Sequence, residues 1–312
     1  MGNSGTLAGE ERMTLPRVGF IGLGLMGHGM AKNLALKHFP LTVKVNRDRS
    51  RLDDILSAGA REAATNEEVA RQSDVVVLCV TGSPQVEEIV FGAGGLLGAA
   101  RPDLIVVDTS TAEPASTARV REALAAKGTP FVDAPLARTP KEAEEGRLNT
   151  MVGADPETFE RVKPVLAAYC ENIFHVGPPG AGHTLKLLNN FLALTIASST
   201  AEALAVASRA GVPLAKLFEV VSQGGVNSGI FQMVAGGAVQ GDLTRLKFSI
   251  ANATKDMGYY RRLAESLPVK SPIGVTVQQS FEQAVALGLG DRMLASMIEA
   301  QEKINDVPIV PR

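Results

Sequence analysis

Lys186 and Asn190 stand four residues apart in the run Leu185-Lys-Leu-Leu-Asn189-Asn190, a spacing that puts both side chains on one face of a helix. An ammonium among leucines must find a cavity, a partner or solvent, because burying it unpaired is costly. Two readings follow. It is a structural lysine that caps carbonyls or snorkels, or it stabilises a developing alkoxide and donates a proton to it. Arg138 and Thr139 lie in Asp133-Ala-Pro-Leu-Ala-Arg138-Thr139-Pro140, just after a strand-like run. A guanidinium fork there suits a carboxylate, sulfonate or phosphate; the structural alternative is an ion pair to nearby Glu142 or Glu144. Asp108-Thr-Ser110-Thr111 also follows a strand. Its hydroxyls either orient a substrate or carboxamide, or cap the helix opening near Pro114.

These groups need a reaction partner, and the N-terminal region supplies its signature. Arg17-Val-Gly-Phe-Ile runs into Gly22-Leu-Gly24-Leu25-Met26-Gly27 and then into a helix beginning near Met26. Gly22 permits the tight turn, Gly24 lets backbone approach a pyrophosphate, and Gly27 lets the helix pack close to the strand. The helix N-terminus then offers free N–H groups to the phosphates. Strand, glycine turn, helix and second strand in that order indicate dinucleotide binding. The acidic residue expected about 20 positions on, which would hold a ribose hydroxyl, is replaced by Asn46, and Arg47 and Arg49 follow. Guanidinium groups there favour NADP, with NAD the alternative if Asp48 takes the ribose. Leu25, Met26, Val80 and Thr81 complete the expected cofactor-binding set, with Thr111 shared between cofactor and substrate.

The elements that position these residues change character along the chain. Short β-rich runs at 18–21, 41–46, 74–80, 104–108, 130–132, 150–152 and 172–176 alternate with helical segments at 26–37, 87–91 and 115–127. That alternation predicts an α/β fold, a mostly parallel, doubly wound Rossmann-type sheet. After residue 182 neither Gly nor Pro interrupts 183–210, which as one helix would run about 40 Å. Helical segments follow at 214–222, 253–265, 273–287 and 293–305, so an all-α second domain is expected. The expected division is an extension at 1–13, a dinucleotide domain at 14–179 and a helical substrate and oligomerisation domain at 180–312.

Composition narrows the partners. With 312 residues and a formal net charge of −2, no broad electrostatic case for nucleic acid exists. The four histidines are scattered without ligand spacing, so no metal is expected. Cys79 and Cys170 sit in apolar runs, which suits a reducing compartment, and residues 1–12 lack the apolar stretch of a signal peptide. The long apolar helix is interrupted by Lys186, Asn189, Asn190 and Glu202, which favours a buried helix over a spanning one. A cytoplasmic location is expected.

The chain resembles the β-hydroxyacid dehydrogenase family. The matching pieces, in order, are Gly22-Leu-Gly-Leu-Met-Gly-His-Gly-Met-Ala-Lys-Asn-Leu34, Asp108-Thr-Ser-Thr111, Gly180-Ala-Gly-His-Thr-Leu-Lys-Leu-Leu-Asn-Asn190 and Lys255-Asp256-Met-Gly258. The resemblance implies an NAD(P)-dependent interconversion of a small anionic aldehyde with its hydroxy acid. Lys186 becomes the catalytic lysine, Asn190 and Asn189 support the substrate, Lys255 lies near the cofactor, and Ser110 and Thr111 lie near the nicotinamide. It also implies a homodimer or homotetramer built through the helical domain. Most members carry Ser-Gly-Gly where this chain has Ala137-Arg138-Thr139, and the Arg-Thr version resembles the loop of sulfolactaldehyde reductases. Two other classes are less consistent with Lys186: a catalytically silent cofactor-binding protein, and an imine reductase, which usually has Asp or Tyr at that position.

Overall fold

The computed structural model describes residues 15–45 and 49–310. Nine strands form one sheet among these residues: β1 Val18–Ile21, β2 Leu41–Lys44, β3 Arg61–Glu62, β4 Val75–Leu78, β5 Ile105–Asp108, β6 Phe131–Asp133, β7 Leu136–Ala137, β8 Leu148–Gly153 and β9 Cys170–Gly177. The order β3-β2-β1-β4-β5-β6 is parallel throughout, and β8 then joins β6 antiparallel. All residues of β1, β4 and β5 are buried, as expected of valine-rich parallel strands covered on both faces. The fold is the doubly wound α/β sheet that the alternation predicts.

Seven helices accompany the sheet: α1 Gly27–Leu36, α2 Asp53–Ser57, α3 Asn66–Arg71, α4 Ser83–Phe91, α5 Pro114–Ala125, α6 Pro140–Glu144 and α7 Pro156–Leu166. One face is closed by Met30 and Leu34 of α1 with Phe159 and Val162 of α7. The other is closed by Val69 of α3, Val86 of α4 and Val120 and Leu124 of α5. Six more helices form the second body: α8 Ala181–Arg209, α9 Leu214–Ser222, α10 Gly229–Val239, α11 Ile250–Ser266, α12 Pro272–Ala284 and α13 Met297–Asn305.

The 29-residue α8 is the axis of that body, packed on α10, α11, α12 and α13. By length and composition it could cross a membrane. Here Leu187, Leu194 and Leu204 turn into a core with Phe231, Met257 and Phe281. Each such burial contributes roughly 1.5–3 kcal/mol.

Several elements differ from the sequence expectation. Helix α1 starts at Gly27, with Met26 as its N-cap. The short α2, α3 and α6 were not legible, because five or six residues carry too little periodicity. Helix α10 holds Gly229, Gly236 and Gly237, which read as breakers, yet Phe231 and Val234 bury enough to hold it helical. Past Ala284 the chain does not continue as one α-helix to 287. A π-turn over Val285–Leu289 contains Gly288 at φ 80°.

Candidate active site

The glycine turn has the shape a dinucleotide requires. Gly22 lies at φ 107°, and a Cβ there would stand 2.2 Å from the Cys79 carbonyl oxygen. A Cβ on Gly27 would meet the Gly22 carbonyl oxygen at 1.9 Å, so only glycine lets α1 start against the turn. Gly24 has open space where its side chain would be, and Leu25 beside it is 54% exposed. Backbone is bare where a pyrophosphate must approach, so the chain fits the cofactor.

The segments after β4 and β5 meet α11 through Lys255 and Tyr259, and α8 starts against β6 and β8. Asp256 on α11 is buried; one of its oxygens accepts a hydrogen bond and the other has only an ion-pair neighbour. Asn190 Nδ2 donates to Oδ2 at 2.7 Å, and Lys255 Nζ stands 2.7 Å from Oδ1. Lys186, one turn ahead of Asn190 on the same face, is half-buried. Burial pushes its ammonium below the usual lysine range; the Asp256 carboxylate opposes that shift and the Lys255 charge reinforces it. A lysine so placed gives up its proton more readily than one in water. Asn189 is exposed, and its Nδ2 reaches the Asn190 side-chain oxygen at 3.3 Å.

Lys255 ties this cluster to the segment that follows β5. Its ammonium reaches the Thr111 carbonyl oxygen at 3.4 Å and lies 4.8 Å from the Tyr259 ring centre. The Tyr259 hydroxyl accepts the Ser83 N–H at 3.2 Å, where α4 begins, after Val80 and the exposed Thr81. Ser110 Oγ accepts the Val80 N–H at 3.0 Å. Ser110 therefore braces two strand ends. No hydroxyl of the 108–111 segment caps α5, whose N-cap is Glu113 without a side-chain bond; the Glu113 N–H goes to Ser83 Oγ at 2.8 Å.

Arg138 points elsewhere. It follows β7, at φ 82°, and its guanidinium bonds the Glu171 carboxylate and the Arg147 carbonyl. The structural pair is therefore with Glu171, not with Glu142 or Glu144. Those two acids are engaged locally: Glu142 closes a capping box with Thr139, whose Oγ1 donates to it at 2.5 Å, and Glu144 pairs with His28 and Lys32. Glu171 was illegible because it comes from β9, which joins β8 only through the sheet. Arg49 is likewise engaged, by a two-pronged contact to Glu62 at 2.7 and 2.8 Å. Asn46, Arg47 and Asp48, like the expected extension, lie outside the described residues.

A buried group that sequence reading missed lies beneath the site. Asp133, fully buried, accepts the Gly180 N–H at 2.6 Å and the His183 N–H at 2.8 Å, fixing the start of α8. Both partners lie inside motifs quoted above, but only the tertiary fold brings them together.

A Rossmann sheet with an open glycine turn, joined at the end of β6 by a helix bearing a lysine of lowered basicity, defines a dinucleotide-dependent oxidoreductase. Comparison with known proteins narrows the class. Residues 17–177 match the family model described as the NAD binding domain of 6-phosphogluconate dehydrogenase, and 180–301 match the NAD-binding model of NADP-dependent 3-hydroxyisobutyrate dehydrogenase. The chain is 33% identical to 2-hydroxy-3-oxopropionate reductase of Escherichia coli (strain K12), over 92% of this chain and 97% of the relative. It is 30% identical to 3-sulfolactaldehyde reductase of the same organism, over 90% and 94%. Among solved structures, 3-hydroxyisobutyrate dehydrogenase (ygbJ) from Salmonella typhimurium aligns with a TM-score of 0.80 at 29% identity, covering 91% of this chain and 99% of that one. The chain belongs to the β-hydroxyacid dehydrogenase family and is an NAD(P)-dependent oxidoreductase.

Proposed function

We propose that this enzyme reduces a small anionic aldehyde to its hydroxy acid, and runs the reverse reaction, with Lys186 as general acid and base. The observation that carries this reading is the Lys186 ammonium, weakened by burial and flanked by the Asp256 carboxylate, on the helix face it shares with Asn190. The dinucleotide, when bound, supplies or accepts hydride. The chain's own residues do the rest. Gly22, Gly24 and Gly27 with Leu25 and Met26 cradle the phosphates, and Val80, Thr81, Ser110, Thr111 and Lys255 hold the nicotinamide end and the carbonyl. Lys186 Nζ gives a proton to the carbonyl oxygen in reduction and takes it back in oxidation, while Asn190 and Asn189 orient that oxygen.

Arg138 and Thr139 then set the substrate class. Arg138 sits on a loop beyond the carboxyl end of β6, its anion-binding fork already occupied by a carboxylate. A substrate carboxylate or sulfonate would replace Glu171 on that fork. The relative named 3-sulfolactaldehyde reductase supports including sulfonates. NADP is the proposed cofactor, through Arg47 and Arg49 on the 2′-phosphate.

A homodimer or homotetramer in the cytoplasm completes the reading. Helix α9 buries none of its residues, and Val220, Leu192 and Val206 are 70%, 61% and 64% exposed. The deciding experiment follows NADPH oxidation across carboxylate, sulfonate, phosphate and neutral aldehydes of matched length. Turnover restricted to neutral aldehydes would overturn the anionic assignment. Light scattering that reports a monomer at micromolar concentration would overturn the assembly.

A further inference from the structure

His183 lies one turn before Lys186 on α8 and is completely buried. Its Nδ1 is 2.7 Å from Thr117 Oγ1 on α5. Its Nε2 stands 3.7 Å from Asp108 Oδ2 at the end of β5, and neither atom has a hydrogen-bond partner. Asp108 Oδ1 accepts the Ser110 N–H at 2.9 Å. The ionisable groups facing the imidazole are Asp108 on β5 and Asp133 on β6, neighbours in register. Asp133 holds the His183 backbone N–H. Beyond Asp108 lies Cys79, whose thiol burial pushes up to about 12.

The protons can be counted. The Thr117 hydroxyl has one hydrogen and two neighbours able to accept it, the Glu113 carbonyl at 3.2 Å and His183 Nδ1 at 2.7 Å. If the hydrogen goes to Glu113, Nδ1 must donate to Thr117. A bare Nε2 would then aim its lone pair at the buried carboxylate, unless one of the two is protonated. If the hydrogen goes to Nδ1, Nε2 carries the ring hydrogen. Either arrangement leaves a proton between Nε2 and Oδ2, because two facing lone pairs in a dry interior are costly.

We infer that His183 and Asp108 hold one proton between them, and that this pair positions Lys186 by tying the first turn of α8, one turn ahead of it, to the strand end that carries Ser110. The inference rests on the reading of Lys186 given above. His183 is a positioning residue, not one that touches substrate. At 3.7 Å the two atoms stand beyond a direct hydrogen bond of about 2.8–3.0 Å, yet they face only one another, so the shared proton ties the first turn of α8 to the strand end that carries Ser110. Burial raises the Asp108 carboxyl above the usual carboxylate range, and the neighbouring His183 opposes that rise.

Two measurements test this. In full-length protein labelled with 15N-histidine and 13C-aspartate, NMR at neutral pH should find a proton on Nε2 or on the Asp108 carboxyl. A bare Nε2 facing an ionised Asp108 would overturn the pair, whatever any variant does. The second measurement compares His183→Asn, Asp108→Asn and the double variant, using NADPH and the aldehyde that turns over best. Each single change should lower kcat about tenfold or more, since displacement of about 1 Å can cost 10²-fold. KM and the NADPH dissociation constant should stay within threefold, and the double variant should be no worse than either single. Losses that multiply, or a single variant within twofold of wild type, would overturn the positioning role. A wild-type protein that turns over no aldehyde but carries the expected proton would defeat the Lys186 reading and leave the pair intact.

Discussion

Two clusters in this molecule are built from the same parts, cations around a carboxylate, and differ in what surrounds them. Around Asp256 the carboxylate is buried, one oxygen is bonded by Asn190 and the other faces Lys255, and the nearby half-buried Lys186 loses basicity through desolvation. Around Glu171 the side chains are open: Arg138 and Glu171 are 30% and 46% exposed, and Arg147 pairs with Glu145 alongside. An exposed ion pair contributes about 0–1 kcal/mol, whereas removing one partner of a buried pair costs about 3–5 kcal/mol. The interior cluster therefore fixes a geometry and a proton. The edge cluster can exchange one anion for another at small cost, as the role proposed for Arg138 requires.

The comparison breaks most sharply at Lys186. Lys186→Ala should lower kcat by about 10²–10⁴ and leave the NADPH dissociation constant unchanged; a variant keeping more than a tenth of wild-type kcat sinks the assignment. The pH dependence carries a sign. Reduction needs the protonated lysine, so kcat should hold at low pH and fall as pH rises through the Lys186 pKa, which burial places below the ordinary lysine range. Oxidation should show the opposite limb. Asp256→Asn removes the anion that opposes the shift, so the limb should move to still lower pH. The same substitution should cost about 3 kcal/mol of stability in thermal or urea unfolding, because Lys255 loses its buried partner.

At the edge the effect should be smaller and selective. Arg138→Ala should raise KM for an anionic aldehyde by up to about 1 kcal/mol equivalent and scarcely alter a neutral one of equal length. Equal losses on both, with lower stability, would make the contact to Glu171 the whole role of Arg138. Glu171→Gln sharpens the same point, since it frees the guanidinium and should lower KM for the anion. The smallest effect is expected at Arg49, now held by Glu62 on the surface. Arg49→Ala should reduce the NADPH-over-NADH ratio of kcat/KM by a few-fold, and an unchanged ratio would leave the 2′-phosphate to other groups.

How much of this was legible in the sequence depends on whether the relevant contacts are local. Gly22, Gly24 and Gly27 declare themselves because a turn, a bare backbone and a close helix are each properties of a few adjacent residues. Lys186 and Asn190 share a face by helical spacing alone. Asp256 was visible only as the neighbour of Lys255; its bond to Asn190 spans 66 residues and needs α8 and α11 packed together. Arg138 was read with the right alternatives in kind but the wrong acids, because Glu171 reaches it across β8 and not along the chain. His183 and Asp108 each lay inside a recognised motif, yet residue type alone does not say that they face one another.

The start of α8 has a consequence for the order in which the molecule assembles. Its N-cap is Gly180, at φ 99°, which offers no side chain to the first turn. The cap comes instead from Asp133, 47 and 50 residues earlier, on a strand of the other body. A helix without a local cap frays at its first turn. The first turn of α8, just ahead of Lys186, is therefore capped only once β6 has taken its place in the sheet. The helical body can collapse on its own leucines, but the turn that precedes Lys186 is completed by a long-range contact of the slow-forming kind.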